Sequence, residues 1–194
     1  MPDRTVLTTE RLVMRPLTRA SLADLLDLYA DPEVTRFLQP LDEAGHLRRL
    51  REAEAMWAER GHGRVAIHDR VTGRFLGRGG LHHWPQFDEV EVGWALRSDA
   101  QGAGLATEAG RAWLEWGLTH LDVPYLTAYI APDNSASVAV ARRLGMSALR
   151  TDTFHGREVV VFALHREPGS RAAAPSAVDG AAAGGHEPAA SPER

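Results

Sequence analysis

Two carboxylates in "EVEVGWALR" (89–97) and two glycines in "SDAQGAGLATEAGRAWLEW" (98–116) are the residues whose types and spacing could do chemistry. Glu89 and Glu91 are two apart, so in a strand both point to one face while Val90 and Val92 point to the other. A carboxylate placed this way can act as a general base. His82 and His83, ending the preceding run "RFLGRGGLHH" (74–83), are alternative bases with ordinary pKa values near neutrality. Gly102 and Gly104 stand one residue apart where a helical run begins. The first turn of a helix carries unpaired N–H groups and partial positive charge. Small residues at 102, 103, 104 and 106 leave those donors uncovered for an anion such as a phosphate, and Thr107 adds a hydroxyl. A plain strand-to-helix turn would use the same glycines.

Rival chemistries fit less well. A Walker loop needs a terminal Gly-Lys-Ser/Thr, which the chain lacks, and a dinucleotide fingerprint needs glycine where Thr107 stands. What remains is the form Gln/Arg-x-x-Gly-x-Gly/Ala, spanning Gln101, Gly102, Ala103, Gly104, Leu105 and Ala106. The chain has no His-Glu-x-x-His run, so no metal is expected. With no cysteine, thioester acyl-enzymes, disulfides and Cys-type zinc sites are excluded. Hydrophobic residues make up 44% and charged residues 25%, the balance of a soluble globular protein. The formal net charge of −4 lacks the basic excess of a general nucleic-acid binder, so no nucleic-acid partner is expected. It mildly favours a cationic small partner. No apolar run is long enough to cross a bilayer, and "MPDRTVLTTE" lacks the apolar stretch of a signal peptide. No membrane partner and a cytoplasmic location are therefore expected.

Positioning these residues falls to a domain over roughly 5–166. Beyond it, 167–194 holds 20 Ala, Gly, Pro or Ser residues among 28 and no aromatic residue, so this tail is expected to be disordered. Within the domain, "RLVMRPL" (11–17) alternates as a strand, and Leu22, Leu25, Leu26 and Tyr29 follow helical spacing behind Ser21. Residues 32–38 read as a short helix with Pro32 in its first turn, and a longer amphipathic helix ends near Gly61. Three strand-like runs follow at 64–69, 74–83 and 89–97, then a helix over about 104–121, a strand at 124–130 and a helix at 135–145. Two closing strands flank His155 and Gly156. The order is antiparallel strands first, then one strand–helix–strand crossover that must be parallel and right-handed. Trp113 and Trp116 share a helix face and are expected to pack on the sheet, with His120 at that helix's end. The fold class is mixed α/β with helices covering a central sheet.

Gln101 to Ala106 resemble the pyrophosphate-binding signature of the GNAT superfamily of acetyl-CoA-dependent N-acetyltransferases. "TTERLVMRPL", "EVGWAL", "GLATEA" and "NSASVAVARRLGM" are similar to the branch that contains the bacterial ribosomal-protein N-terminal acetyltransferases. The likeness spans about 7–165. It implies a mostly antiparallel sheet with one splayed parallel pair, and helices on both faces. It further implies that the backbone of Trp94, Ala95 and Leu96 pairs with the pantetheine arm of acetyl-CoA. The N–H groups from Gln101 to Thr107 would hold the pyrophosphate, and Asn134 and Ser137 would reach the cofactor near its sulfur. A helix cap is the rival role for Asn134. Glu91 stands at the branch's usual glutamate and Glu89 could share its work or simply face solvent. A backbone N–H near Ala95 is the family-like donor to the carbonyl oxygen. Many members carry a tyrosine as general acid where this chain has Ala141, so Ser137 is the candidate for contacting the sulfur. The implied activity is acetyl transfer to a primary amine, of a protein N-terminus or a small molecule, by direct attack in a ternary complex. A non-catalytic acyl-CoA sensor and a transferase of longer acyl groups are the alternatives. A homodimer is an arrangement the likeness leaves open.

Overall fold

Alternating hydrophobicity and helical spacing become eight strands and five α-helices over residues 7–167, the part of the chain that the computed structural model describes. The disorder expected of the tail falls, beyond Glu167, outside the described residues. In chain order the elements are β1 (Leu7–Thr8), β2 (Leu12–Pro16), α1 (Leu22–Ala30), α2 (Pro32–Thr35) and α3 (Glu43–Arg60). Then come β3 (Arg64–Asp69), β4 (Phe75–Trp84), β5 (Glu89–Leu96), α4 (Leu105–His120) and β6 (Tyr125–Ile130). α5 (Ser135–Arg143), β7 (Ser147–Phe154) and β8 (Arg157–His165) complete the order. Two features differ from the sequence reading. The two-residue β1 is too short to leave a pattern, and α2 is a single turn capped by the Asp31 carboxylate on the Glu33 N–H.

The strands form one sheet in the order β1-β2-β3-β4-β5-β6-β8-β7. Every neighbouring pair is antiparallel except β5 and β6, which run parallel and keep one registered pair, Glu91 with Thr127. Beyond that pair the two strands part, and the wedge between them is where a ligand can enter the sheet.

Period-two alternation divides the core between the two faces. Val65 and Ile67 of β3 join Trp113 and Leu114 of α4 and Ala141 of α5, while Ala66 joins Leu25 and Leu28 of α1 and Leu50 of α3. On the first face, α4 approaches closely because Gly110 and Gly117 sit two turns apart on its inner stripe. A Cβ would lie 2.8 Å from Leu144 at the first and 2.7 Å from Leu126 at the second. Trp113 stands between them, fully buried and edge-on to Trp116 at 5.6 Å. Burying a side chain of that size contributes about 3 kcal/mol, so it anchors the helix whose N-terminus faces the wedge. His120 stacks on Trp116 at the other end, its Nδ1 2.8 Å from the Trp116 carbonyl oxygen. No helix among the described residues is long and apolar enough to cross a membrane.

Candidate active site

The glycine pair makes the turn from β5 into α4. Gly102 and Gly104 adopt φ of +76° and +79°, the left-handed region that a side chain opposes, and Gly104 is the N-cap of α4. The first helical hydrogen bond runs from the Glu108 N–H to the Gly104 carbonyl, so the N–H groups of Leu105, Ala106 and Thr107 have no partner within the helix. The Thr107 hydroxyl is buried and also lacks a partner. Unpaired donors and a left-handed turn free of side chains suit an anion, so this segment fits the pyrophosphate that the sequence likeness implies.

A distant part of the chain holds the cradle in place. Glu108 accepts from the Thr9 hydroxyl at 2.6 Å, the Arg11 N–H at 2.9 Å and the Arg11 guanidinium at 2.6 Å. Arg11 also donates to the Ala103 carbonyl at 2.8 Å. Burial would raise the Glu108 pKa, but these donors hold it below the usual carboxylate range. Gln101 donates from its side chain to the Leu96 carbonyl at 3.1 Å and ties the loop to β5.

Three contacts fix which backbone groups of β5 face the wedge. The Val90 carbonyl accepts from Thr127 on β6, the Leu96 carbonyl from Gln101, and the Arg97 N–H donates to Leu76 on β4. By alternation, the N–H groups of Val92 and Trp94 point to β6, whereas the Ala95 backbone turns toward Arg78 on β4. Of the expected segment, Trp94 and Leu96 therefore turn backbone groups to the wedge and Ala95 does not, because period two forbids neighbouring residues from facing the same side.

Two clefts open on the wedge. One, of about 860 Å³, is lined by Trp94, Ala95, Leu96, the stretch from Gln101 to Thr107 (Ala103 apart), and Asn134 and Ser137. The other, of about 420 Å³, lies on the α1–α3 side and is lined by Glu91, Gly93, His82, Trp84 and several arginines. They share Phe37, Leu38, Trp94, Asn134 and Ser137, so these residues mark the junction. Asn134 also caps α5, its carbonyl oxygen accepting the Ser137 N–H at 3.1 Å. Asn134 thus caps α5 from a position that lines both clefts. Ala141 is fully buried in the core and lines neither cleft.

Among the described residues Glu91 is the one carboxylate lining the smaller cleft. Burial raises its pKa, opposed by a 2.8 Å hydrogen bond from Trp84 Nε1 and by the charges of Arg64 and Arg78. His82 shares the cleft, but burial and then Arg64 push its pKa down to about 3, too weak a base to accept a proton from an ammonium. His83 lines neither cleft and lies 3.2 Å from Asp88 instead.

Glu89 takes a different part from the one its spacing suggests. Its carboxylate is buried and accepts from Arg150 at 2.8 and 3.0 Å, Tyr129 at 2.5 Å and Tyr125 at 3.1 Å. Burial alone would raise its pKa, yet these bonds from Arg150 and the two tyrosines hold it below the usual range. With both oxygens engaged it neither faces solvent nor has a lone pair free for an amine. It ties β5 to β6 and β7 at the closed end of the wedge. Glu89→Gln weakens the charge-assisted hydrogen bonds at the buried carboxylate, while Arg150, a third exposed, keeps Asp152 at 3.2 Å, so the unfolding free energy is expected to fall by about 2 kcal/mol. Urea unfolding checks this, and unchanged stability would remove Glu89 from the structural role.

Sequence spacing left out Arg11 and Glu108 as partners, and Arg64, Arg78 and Trp84 as cleft residues. Thr9, Arg11 and Glu108 do occur in "TTERLVMRPL" and "GLATEA", but nothing in either motif says that they touch across 97 positions.

Comparison with known proteins follows this geometry. A family model described as "Acetyltransferase (GNAT) domain" matches residues 11–147. YkkB of Bacillus subtilis, an uncharacterized protein, is 31% identical over 176 residues, covering 84% of this chain and 96% of that one. The crystal structure of an acetyltransferase from Agrobacterium tumefaciens is 33% identical with a TM-score of 0.71, covering 82% of this chain and 93% of that one. A ribosomal-protein alpha-N-acetyltransferase, RimL, in complex with coenzyme A has a TM-score of 0.70 over 83% and 97% of the two chains. At 16% identity it shares the fold alone.

Proposed function

The chain belongs to the GNAT acetyltransferase family and is an acyltransferase, and from that premise we propose that it moves the acetyl group of acetyl-CoA to a primary amine by direct attack in a ternary complex. The observation that carries this reading is the meeting of two clefts at Trp94, Asn134 and Ser137, one ending in an anion cradle and the other holding a carboxylate. Bound acetyl-CoA supplies the acetyl group as an activated thioester. The N–H groups from Gly102 to Thr107 hold the pyrophosphate, and the wedge-facing Trp94 carbonyl and Leu96 N–H pair with the pantetheine amides. Glu91 removes a proton from the acceptor's ammonium, leaving the neutral amine that can attack. The Trp94 N–H is the donor available to the thioester carbonyl oxygen, where negative charge develops.

Ser137 lines both clefts and its hydroxyl hydrogen-bonds the departing thiolate, which takes up the proton that the amine nitrogen loses as the C–N bond forms and the C–S bond breaks. Tyr129 is unfit for that task, because burial and the Glu89 carboxylate push its hydroxyl pKa well up. Much of the rate then comes from holding the amine and the thioester together in the correct orientation. A cytoplasmic location belongs to the same proposal, as does an acceptor that is either a protein N-terminus or a small molecule.

Thiol release from acetyl-CoA, measured against peptides with free N-termini, polyamines, aminoglycosides and amino acids, tests the reading when mass spectrometry follows every acceptor. An acetylated amine is the expected product. Tight acetyl-CoA binding with no product from any amine, or turnover only with longer acyl-CoA thioesters, would replace it with the sensor or the long-chain transferase.

A further inference from the structure

The cleft that holds Glu91 is cationic, and acetyl transfer by itself does not require that. Register places Arg64 of β3, Arg78 of β4 and Glu91 of β5 on one sheet face, since Ala66 pairs with Arg78 and His82 with Glu91. Arg49 of α3 lines the same cleft, and Arg157 lies exposed beside it. The hydrogen bonds of Arg49 and Arg78 go to neutral groups, Arg49 to the Gln39 carbonyl at 2.6 Å and Arg78 to the Tyr29 hydroxyl at 3.0 and 2.7 Å, while the Glu52 charge also acts on Arg49.

Among the described residues the Arg64 guanidinium forms no hydrogen bond or ion pair, and lies 5.8 Å from the centre of the Trp84 ring. Burial, then the neighbouring Arg78, lowers its pKa to about 10, so it remains a cation at neutral pH. His82 stays neutral beside it. Several partly buried cations thus face one carboxylate. Desolvated positive charge in excess of its one counter-ion in the cleft, Glu91, is costly, and a bound anion would relieve that cost.

We propose that the acceptor is a small amine carrying its own anionic group, a carboxylate or a phosphate, which Arg64 and Arg78 hold while the amine faces Glu91. The proposal rests on the transferase reading above. A cleft of about 420 Å³ suits a small molecule. Guanidinium groups present paired N–H donors that match carboxylate and phosphate oxygens. The mild preference for a cationic acceptor drawn from net charge is thereby reversed, because the charge lining the cleft acts on the acceptor far more strongly than charge spread over the outer surface.

Matched acceptor pairs test this: phosphoethanolamine against ethanolamine, and free amino acids against their C-terminal amides. In the wild type the anionic member is expected to have a kcat/KM at least about tenfold higher, and the pair that shows it tells phosphate from carboxylate. Arg64→Met is expected to erase that ratio and Arg64→Lys, which keeps the charge, to restore part of it. Thermal melting establishes that both variants are folded.

Calorimetry of phosphoethanolamine and of N-acetylated amino acids, without acetyl-CoA, supplies a readout independent of turnover. Binding by the wild type and loss in Arg64→Met are expected. Preference for the neutral member, or equal loss for both members in Arg64→Met, overturns the proposal while leaving the transferase reading intact. Anion binding that depends on Arg64, with no amine acetylated, upholds the anion site and overturns the transferase reading.

Discussion

Gly104→Glu is expected to weaken acetyl-CoA binding by roughly 100-fold or more. Two unit charges about 5 Å apart near a protein surface repel by roughly 3 kcal/mol, and each 1.4 kcal/mol is tenfold in affinity. A glutamate here would set its charge among the N–H donors that await the pyrophosphate. The fold should survive, because a Cβ at Gly104 would meet only Arg11 Nη2, at 3.7 Å. The φ of +79° adds a strain of about 1–2 kcal/mol for any side chain, which lowers Tm by several degrees. Gly104→Ala carries the same strain without the charge and is the proper control. Calorimetric titration with acetyl-CoA is expected to show no binding to the glutamate variant and binding within about tenfold of wild type to the alanine variant. A glutamate variant with wild-type affinity would move the pyrophosphate site elsewhere.

Glu91→Gln is expected to lower kcat by about 10²- to 10⁴-fold, the usual contribution of a positioned base, with acetyl-CoA affinity unchanged. The glutamine keeps a carbonyl oxygen for the Trp84 N–H, so packing is preserved while basicity is lost. The pH profile supplies an independent check. Burial raises the Glu91 pKa above the ordinary value of about 4.5, and only the ionised form can take a proton. Wild-type kcat therefore falls as pH drops through an apparent pKa above 4.5, and the limb due to Glu91 is absent from the variant. Turnover at the wild-type rate, or a variant profile that keeps this limb, would assign the base to another group.

Three residues show where sequence reading reaches its limit. Glu89 and Glu91 are equivalent by spacing, two apart and on one face. They separate only in space, where Arg150, Tyr125 and Tyr129 close around Glu89 from strands 36 to 61 positions away. His82 had the pKa of a base on paper, and burial beside Arg64 removed it. The glycine turn, by contrast, was fully legible. Its positive φ values and uncovered N–H groups follow from the chemistry of residues 101–107 alone.

Local and periodic properties are therefore what this sequence determined by itself: the elements to within a few residues, the parallel crossover and the left-handed glycine turn, while its motifs carried the resemblance to the family. These depend on neighbours in the chain, on side-chain period and on the handedness of connections, all of which are written in order along it. The tertiary structure alone decided which carboxylate is free, that Arg11 and Glu108 brace the cradle, and that a slightly acidic protein carries an arginine-lined cleft. Each of these turns on electrostatics and desolvation between residues far apart in sequence, and those forces depend on distance and burial that exist only once the chain has folded.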